Sequence, residues 1–347
     1  MRLRRPNNFD AVRLGLAAMV IVSHAFIQPF GNETHEPLKA ATNGQVTLGG
    51  LAVAGFFVVS GYLVGNSWLS SLDFRPYIAK RLLRVYPGYA VAVLLGLLVL
   101  GPVFSGLQYF RSFGAFDVIK AFLVFNGIPG VGFLQLPAHI LNGTLWTIQY
   151  EFACYLALPL VLMVAGTRRW PVVVILLLIL PLAALPMIRE APSIVLHYAS
   201  RLHNSFVFAS YFLSGAAMLL YAPRITVRRI ILSLVLLVFG AAVPPFLAIT
   251  LPICGAYLLL ALALCTPELG RAFFKRFDLS YGTYLYGWPV GQLVLLALGA
   301  HAPPWLMVAL TLPLTIVVAF GSWTLVERRF LLLKPRTMAR PARPGTV

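Results

Sequence analysis

Charge is scarce in this sequence. Of its 347 residues only 11% are Asp, Glu, Lys or Arg, and acids number 10 against 27 bases. A typical soluble domain carries about 25% charged residues, and a globule of this size has too much surface to cover with so few. A water-soluble fold is therefore excluded. Disorder is excluded too, because 60% of the residues are hydrophobic and disordered chains are poor in such residues. The three cysteines, Cys154, Cys254 and Cys265, all lie inside apolar segments and form neither a disulfide framework nor a metal-ligand spacing. There is no internal repeat, and no low-complexity stretch precedes the Pro/Arg-rich segment after Lys334. The strict apolar–polar alternation of a membrane β-barrel is also missing.

What the chain does have is apolar runs, with a mean hydropathy of +0.86. A helix needs about 20 apolar residues to cross a bilayer. Runs near that length fall around 9–30, 46–66, 86–104, 146–166, 171–188, 206–222, 228–244, 247–265, 281–299 and 304–326. The expected fold is all-α, a polytopic membrane bundle of about ten transmembrane helices. Residues 116–126 are too short for a span and carry Asp117 and Lys120. They read as a re-entrant or interfacial helix, with an eleventh span as the second option. Residues 1–333 form one membrane domain on this reading, and 334–347 a basic tail.

The net charge of +17 is explained by orientation. With both termini cytoplasmic, 21 of the 27 basic residues fall on the inner face and five (Lys39, Arg111, Lys120, Arg189 and Arg201) on the outer, with Arg13 inside the first span. That asymmetry is the positive-inside pattern, so the basic excess gives no support to a nucleic-acid partner. The arginine-led N-terminus resembles a signal peptide, but its apolar run is longer and broken by Arg13, which predicts an uncleaved first span.

Ionisable groups at membrane depth cost about 2.5–3.5 kcal/mol each on insertion scales and mark function or pairing. Arg13 and His24 are eleven residues apart, three helical turns plus about 20°, so they share a face some 16 Å apart along the axis. Glu151 lies a few residues inside its span, with Trp146 at the interface and Tyr155 one turn below on the same face. His24 and Glu151 are expected at similar depth in the outer half. An imidazole oriented by a carboxylate there suits general-base activation of a hydroxyl; a plain interhelical hydrogen bond is the alternative. Glu327 reads as a cap on the inner boundary beside Arg328 and Arg329. On the inner side, FRPYIAKRLLRVYP places Arg81 and Arg84 at i, i+3 on one helical face. Such a pair can grip phosphate bidentately, or it is ordinary inner-face charge against anionic lipid headgroups.

Gly61 and Gly65 give the small-xxx-small spacing of close helix packing. Ser60 beside them has no base near it in sequence. His139 lies in the long outer loop 105–145, which is placed to cover a site, and its GIPGVG stretch is turn material without the Lys and Ser/Thr of a nucleotide loop.

These motifs together resemble the acyltransferase family 3 of bacterial integral membrane proteins, which O-acylate carbohydrates and other acceptors. Five stretches carry the likeness: FDAVRLGLAAMVIVSHAF, AGFFVVSGYLVGNSW, FRPYIAKRLLRVYPGYA, LWTIQYEFACYLALPL, and the late pair DLSYGTYLYGWPV with SWTLVERRF. The resemblance implies a bacterial inner-membrane enzyme using acyl-CoA, commonly acetyl-CoA, as donor and a glycan or lipid-linked saccharide as acceptor, with no metal and no permanently bound cofactor. It implies catalytic roles for His24, Arg13 and Glu151, and donor contacts from Arg81, Arg84 and Ser60. Acceptor contacts are expected from Trp146 and Tyr155, and from His139 in the covering loop. One departure is Gly287 before Trp288-Pro289, where family members often carry a histidine; His24 is left as the main base. A transporter or flippase for lipid-linked sugars is the rival reading, although the two halves show no matching Gly/Pro-broken spans. A membrane sensor is a third reading, for which the short inner loops offer no output domain.

Overall fold

The computed structural model describes residues 7–130, 132–133, 136–166, 168–185, 193–299 and 302–334, and among them it is helical with no strand. The basic tail from 335 onward lies outside the described residues. Thirteen helices follow in order: α1 (Phe9–Ile27), α2 (Pro37–Ala41), α3 (Leu48–Ser71), α4 (Phe74–Ser105), α5 (Ala115–Leu123), α6 (Leu145–Ala165), α7 (Trp170–Ala184), α8 (Ser193–Tyr221), α9 (Val227–Ala242), α10 (Leu247–Cys265), α11 (Arg271–Arg276), α12 (Ser280–Leu298) and α13 (Pro304–Leu331). A helix lies under each of the ten apolar runs. Seven of them, α1, α3, α4, α6, α8, α10 and α13, are long and apolar enough to cross a membrane among the described residues. The chain is a multi-pass membrane protein.

The other three differ for physical reasons. Helices α7 and α9 are short, at 15 and 16 residues. Helix α12 has the length but is diluted by Ser280, Thr283, Gln292, three tyrosines and three glycines. Every residue from Ser280 to Gln292 is buried, so α12 is the central post of the bundle and faces protein, not lipid. In α9, by contrast, only Ser233 and Gly240 are buried, and its aliphatic side chains point outward.

Helix starts are set by local capping, which satisfies backbone N–H groups that the first turn leaves free. Thr47 accepts from Gly50 N at the head of α3, Asp73 from Arg75 N at α4, and Thr226 from Arg229 N at α9. Glu36 is almost fully buried and does more: it accepts from Lys39 N at 2.7 Å and Leu48 N at 2.9 Å, with Ser23 Oγ at 3.4 Å, tying α1, α2 and α3 at one end. Asn8 does the same at the other end, donating to Thr266 and Pro267 and accepting from Leu269 N.

Packing of α3 on α8 follows the glycine spacing. A methyl at Gly61 meets the carbonyl of Phe212, and one at Gly215 meets the carbonyl of Val58; backbones come this close only where side chains are absent. The basic stretch before the third apolar run is helical as its spacing implies, and it forms the first half of α4, continuous through Pro87. A helix that starts this early carries Arg81 and Arg84 into the bundle. The short segment at 116–126 becomes α5, nine residues long and too short to span. The chain after it is held along α12: Asn142 donates to Leu285 O, Trp288 to Ile140 O and Gln292 to Ala138 O, while Tyr284 donates to Thr144 O. An apolar cavity of about 300 Å³, lined by Leu16, Gly55, Tyr211 and Leu259 among others, lies to the side of this polar seam.

Candidate active site

Glu151 stands in the first turn of the α-helical part of α6, and Tyr155 is one turn further on the same face. Its carboxylate oxygen Oε1 accepts two hydroxyls: Ser60 Oγ from α3 at 2.6 Å, and the Tyr155 hydroxyl. The two hydroxyl oxygens are 3.5 Å apart. Ser60 and Glu151 are half-buried and Tyr155 is buried. Tyr77 of α4 donates to Tyr155 O at 2.7 Å and pins α6 in this register. Arg81, one turn on from Tyr77, lies close enough to Tyr155 and Glu151 to interact with both electrostatically. Its Nη2 is 3.5 Å from Ser67 Oγ, and its Nε is buried without a partner.

His24 occupies the last turn of α1. Its ring meets the edge of Trp288 at 4.7 Å between centroids, and its Nδ1 is buried with no hydrogen-bond partner. The expected pairing of His24 with Glu151 does not form. Among the described residues no hydrogen bond joins them, because Ser60 and Tyr155 take up the carboxylate. Trp288 is itself held by Ile140 O above and by Gln28, which donates to Trp288 O at 2.9 Å. The position before it is tight: a methyl at Gly287 would sit 2.8 Å from the Ile21 side chain of α1, so a larger residue there would have to displace Ile21.

A second polar cluster lies nearer the start of α12. Asp278 receives Arg84 Nη2 at 2.6 Å and Arg13 Nη1 at 3.3 Å on one oxygen, and Ser280 Oγ at 2.7 Å on the other. Burial alone would raise the Asp278 carboxyl, but the two guanidiniums outweigh it and hold it well below the ordinary carboxylate range. Arg13 and Arg84 were both expected near a donor, one as a catalytic group and one as a phosphate ligand; the structure brings them together on one aspartate. Glu327, expected as a boundary cap, is instead buried and accepts from Ser322 Oγ at 2.9 Å. The π turn at Trp323–Glu327 makes that five-residue reach possible.

Of the remaining expected residues, Trp146 is 42% exposed and packs on Tyr150 and Phe208. His139 is exposed, with Nδ1 3.4 Å from Phe133 O. Among the described residues neither has a hydrogen bond to Ser60 or Glu151. Sequence reasoning missed Asp278, Glu36 and Gln292 as structural partners. The signal for Asp278 was an acid opening a helix among inner-face arginines; for Gln292 it was an amide inside an apolar run.

A hydroxyl hydrogen-bonded to a carboxylate, with a cation beside it and an unpartnered imidazole elsewhere in the bundle, is the equipment of acyl or proton transfer. Comparison with known proteins agrees on the class. A family model described as an acyltransferase domain matches residues 7–325. The chain belongs to that family, acyltransferase family 3, and is a membrane acyltransferase. Two relatives align over nearly their whole length. One is an O-acetyl transferase of Shigella phage Sf6, 29% identical over 346 residues, covering 95% of this chain and 97% of the relative. The other is Nodulation protein 10 of Rhizobium leguminosarum bv. viciae, 28% identical over 372 residues, covering 96% of this chain and 95% of that protein. No solved structure matches the chain.

Proposed function

We propose that the protein is an O-acyltransferase of the bacterial inner membrane, moving an acyl group, acetyl in the simplest case, from cytoplasmic acyl-CoA to a hydroxyl of a surface or exported glycan. The ten helices under the apolar runs then cross the membrane, with both termini in the cytoplasm and the basic residues facing inward. Arg81, Arg84 and Arg13 lie toward the donor, with Arg81 the cation left free to meet a phosphate or thioester. His24 acts further out as the base that takes the acceptor proton, and the loop carrying His139, with Trp146 at the head of α6, covers the acceptor.

The observation that carries this reading is the buried Nδ1 of His24. Buried polar atoms are almost always satisfied within the fold, and an unsatisfied imidazole nitrogen inside a membrane enzyme is a place for a substrate hydroxyl. His24→Ala is expected to reduce glycan acylation by about 10²–10⁴-fold, the usual contribution of a positioned base. Mass analysis of surface glycans reads the acylation, and immunoblotting of membranes shows the variant present at the normal level. Undiminished acylation in that strain overturns the assignment of the base.

A further inference from the structure

We propose that Ser60 is an acyl-accepting nucleophile and that the reaction passes through an acyl-Ser60 ester. The inference rests on the acyltransferase reading above and goes beyond it by giving the transfer a covalent step. Four observations carry it. Ser60 Oγ donates at 2.6 Å to the only carboxylate it touches among the described residues, Glu151. That is the reach of a nucleophile to its base. The base is held in place by a third group: Tyr155 donates to the same oxygen, and Tyr77 fixes Tyr155 through its backbone. Ser60 is only half-buried, so its residue is not sealed inside the core. Arg81 brings a buried, unpartnered N–H and a positive charge to the same carboxylate–tyrosine pair, which suits stabilisation of a developing oxyanion. Gly61 adds rigidity, since its contact with the Phe212 backbone fixes the turn of α3 that presents Ser60.

The step balances without a further reactant. Ser60 Oγ attacks the thioester carbonyl carbon as its proton passes to Glu151. The C–S bond then breaks, and CoA leaves as the thiol, taking that proton. In the second half the acceptor hydroxyl attacks the serine ester, its proton is taken by a base, and Ser60 Oγ leaves protonated. A purely structural Ser60 would do no more than satisfy the Glu151 carboxylate and would carry no acyl group.

The test uses the full-length protein purified in detergent and incubated with radiolabelled acetyl-CoA without acceptor, then quenched and digested. The expected result is hydroxylamine-labile label on the peptide containing Ser60, absent from Ser60→Ala. Ser60→Cys is expected to trap the acetyl group as a thioester at the same position, which keeps the test decisive if the alanine variant folds poorly. Label on Tyr155 in place of Ser60, or acceptor acylation by Ser60→Ala at the wild-type rate, overturns the acyl-serine and leaves the enzyme class intact. Failure of wild-type membranes to transfer label from acetyl-CoA to any glycan overturns the underlying function instead.

Discussion

Two of the polar clusters inside this apolar bundle are built on opposite terms. Around Asp278 full charges face one another: two guanidiniums close on one carboxylate, Ser280 fills its second oxygen, and Asp10 stands 3.9 Å from Arg13 as a second acid. Around Glu151 a single carboxylate meets two hydroxyls, and the nearest cation, Arg81, is within electrostatic range. In a low-dielectric interior the first arrangement fixes every proton and every charge, since moving any one strands another. The second joins Ser60 to Glu151 by a hydrogen bond, with no ion pair to Glu151 among the described residues. On the proposal above, the bundle separates holding from reacting: Asp278 fixes Arg13 and Arg84 in place, and α3 with α6 supplies the groups proposed to react.

Matched amide substitutions break that contrast most directly. Asp278→Asn keeps the shape but leaves Arg13 and Arg84 without their shared counter-charge, and breaking a buried pair in this way costs about 3–5 kcal/mol. A large loss of folded protein is expected, read as a fall in the monodisperse fraction on gel filtration in detergent and a lowered unfolding temperature. Asp278→Asn at wild-type stability would show that Asp278 does not hold the two arginines.

The same chemical change at the other cluster is expected to do the reverse. Glu151→Gln still accepts from Ser60 and Tyr155, so its stability change stays within about 1 kcal/mol, the net worth of a hydrogen bond. Acyl transfer falls by about 10²–10⁴-fold, because an amide cannot take the Ser60 proton. Unfolding temperature and initial rate, measured on one preparation, separate the two outcomes; a destabilised but active Glu151→Gln would collapse the distinction between the clusters.

The sequence made the scaffold legible far more than the connections. Hydrocarbon forces spanning segments to be long, apolar and helical, so each apolar run has its helix, and the Gly61–Gly65 spacing announced a close helix contact without saying that α8 makes it. Pairings between helices carry no such local signature. Ser60 and Glu151 are 91 residues apart, and Arg13 and Asp278 are 265 apart. Ser60 had no base near it in sequence, and only the packing of α3 on α6 brings Glu151 to it. The sequence offered Arg84 a phosphate or a lipid headgroup but not its partner Asp278, because the acid across the bundle is 194 residues away and carries no local signal. Glu36 was invisible for a further reason: its three partners are two backbone amides and a serine hydroxyl, which pattern reading cannot see.

The smallest effect sharpens the comparison at its edge. Lys334 follows α13 and is half-buried; burial lowers its ammonium from the ordinary lysine value to about 8, and Arg84, Arg81 and Lys80 push the same way against a weaker pull from Asp278. A cation whose folded value is lowered binds fewer protons in the folded state than in the unfolded one between about pH 8 and 10. Stability attributable to Lys334 therefore rises with pH across that window, and below it the charged lysine is a net cost. Exposure to solvent screens this cost to a few tenths of a kcal/mol. Lys334→Gln removes it, so the variant is expected to unfold slightly later than wild type at pH 7 and at the same temperature near pH 10. Thermal unfolding at the two values checks the sign. A variant less stable than wild type at pH 7 would mean that Lys334 helps hold the arginine cluster together, and that the charge balance around Asp278 extends beyond the two arginines it binds.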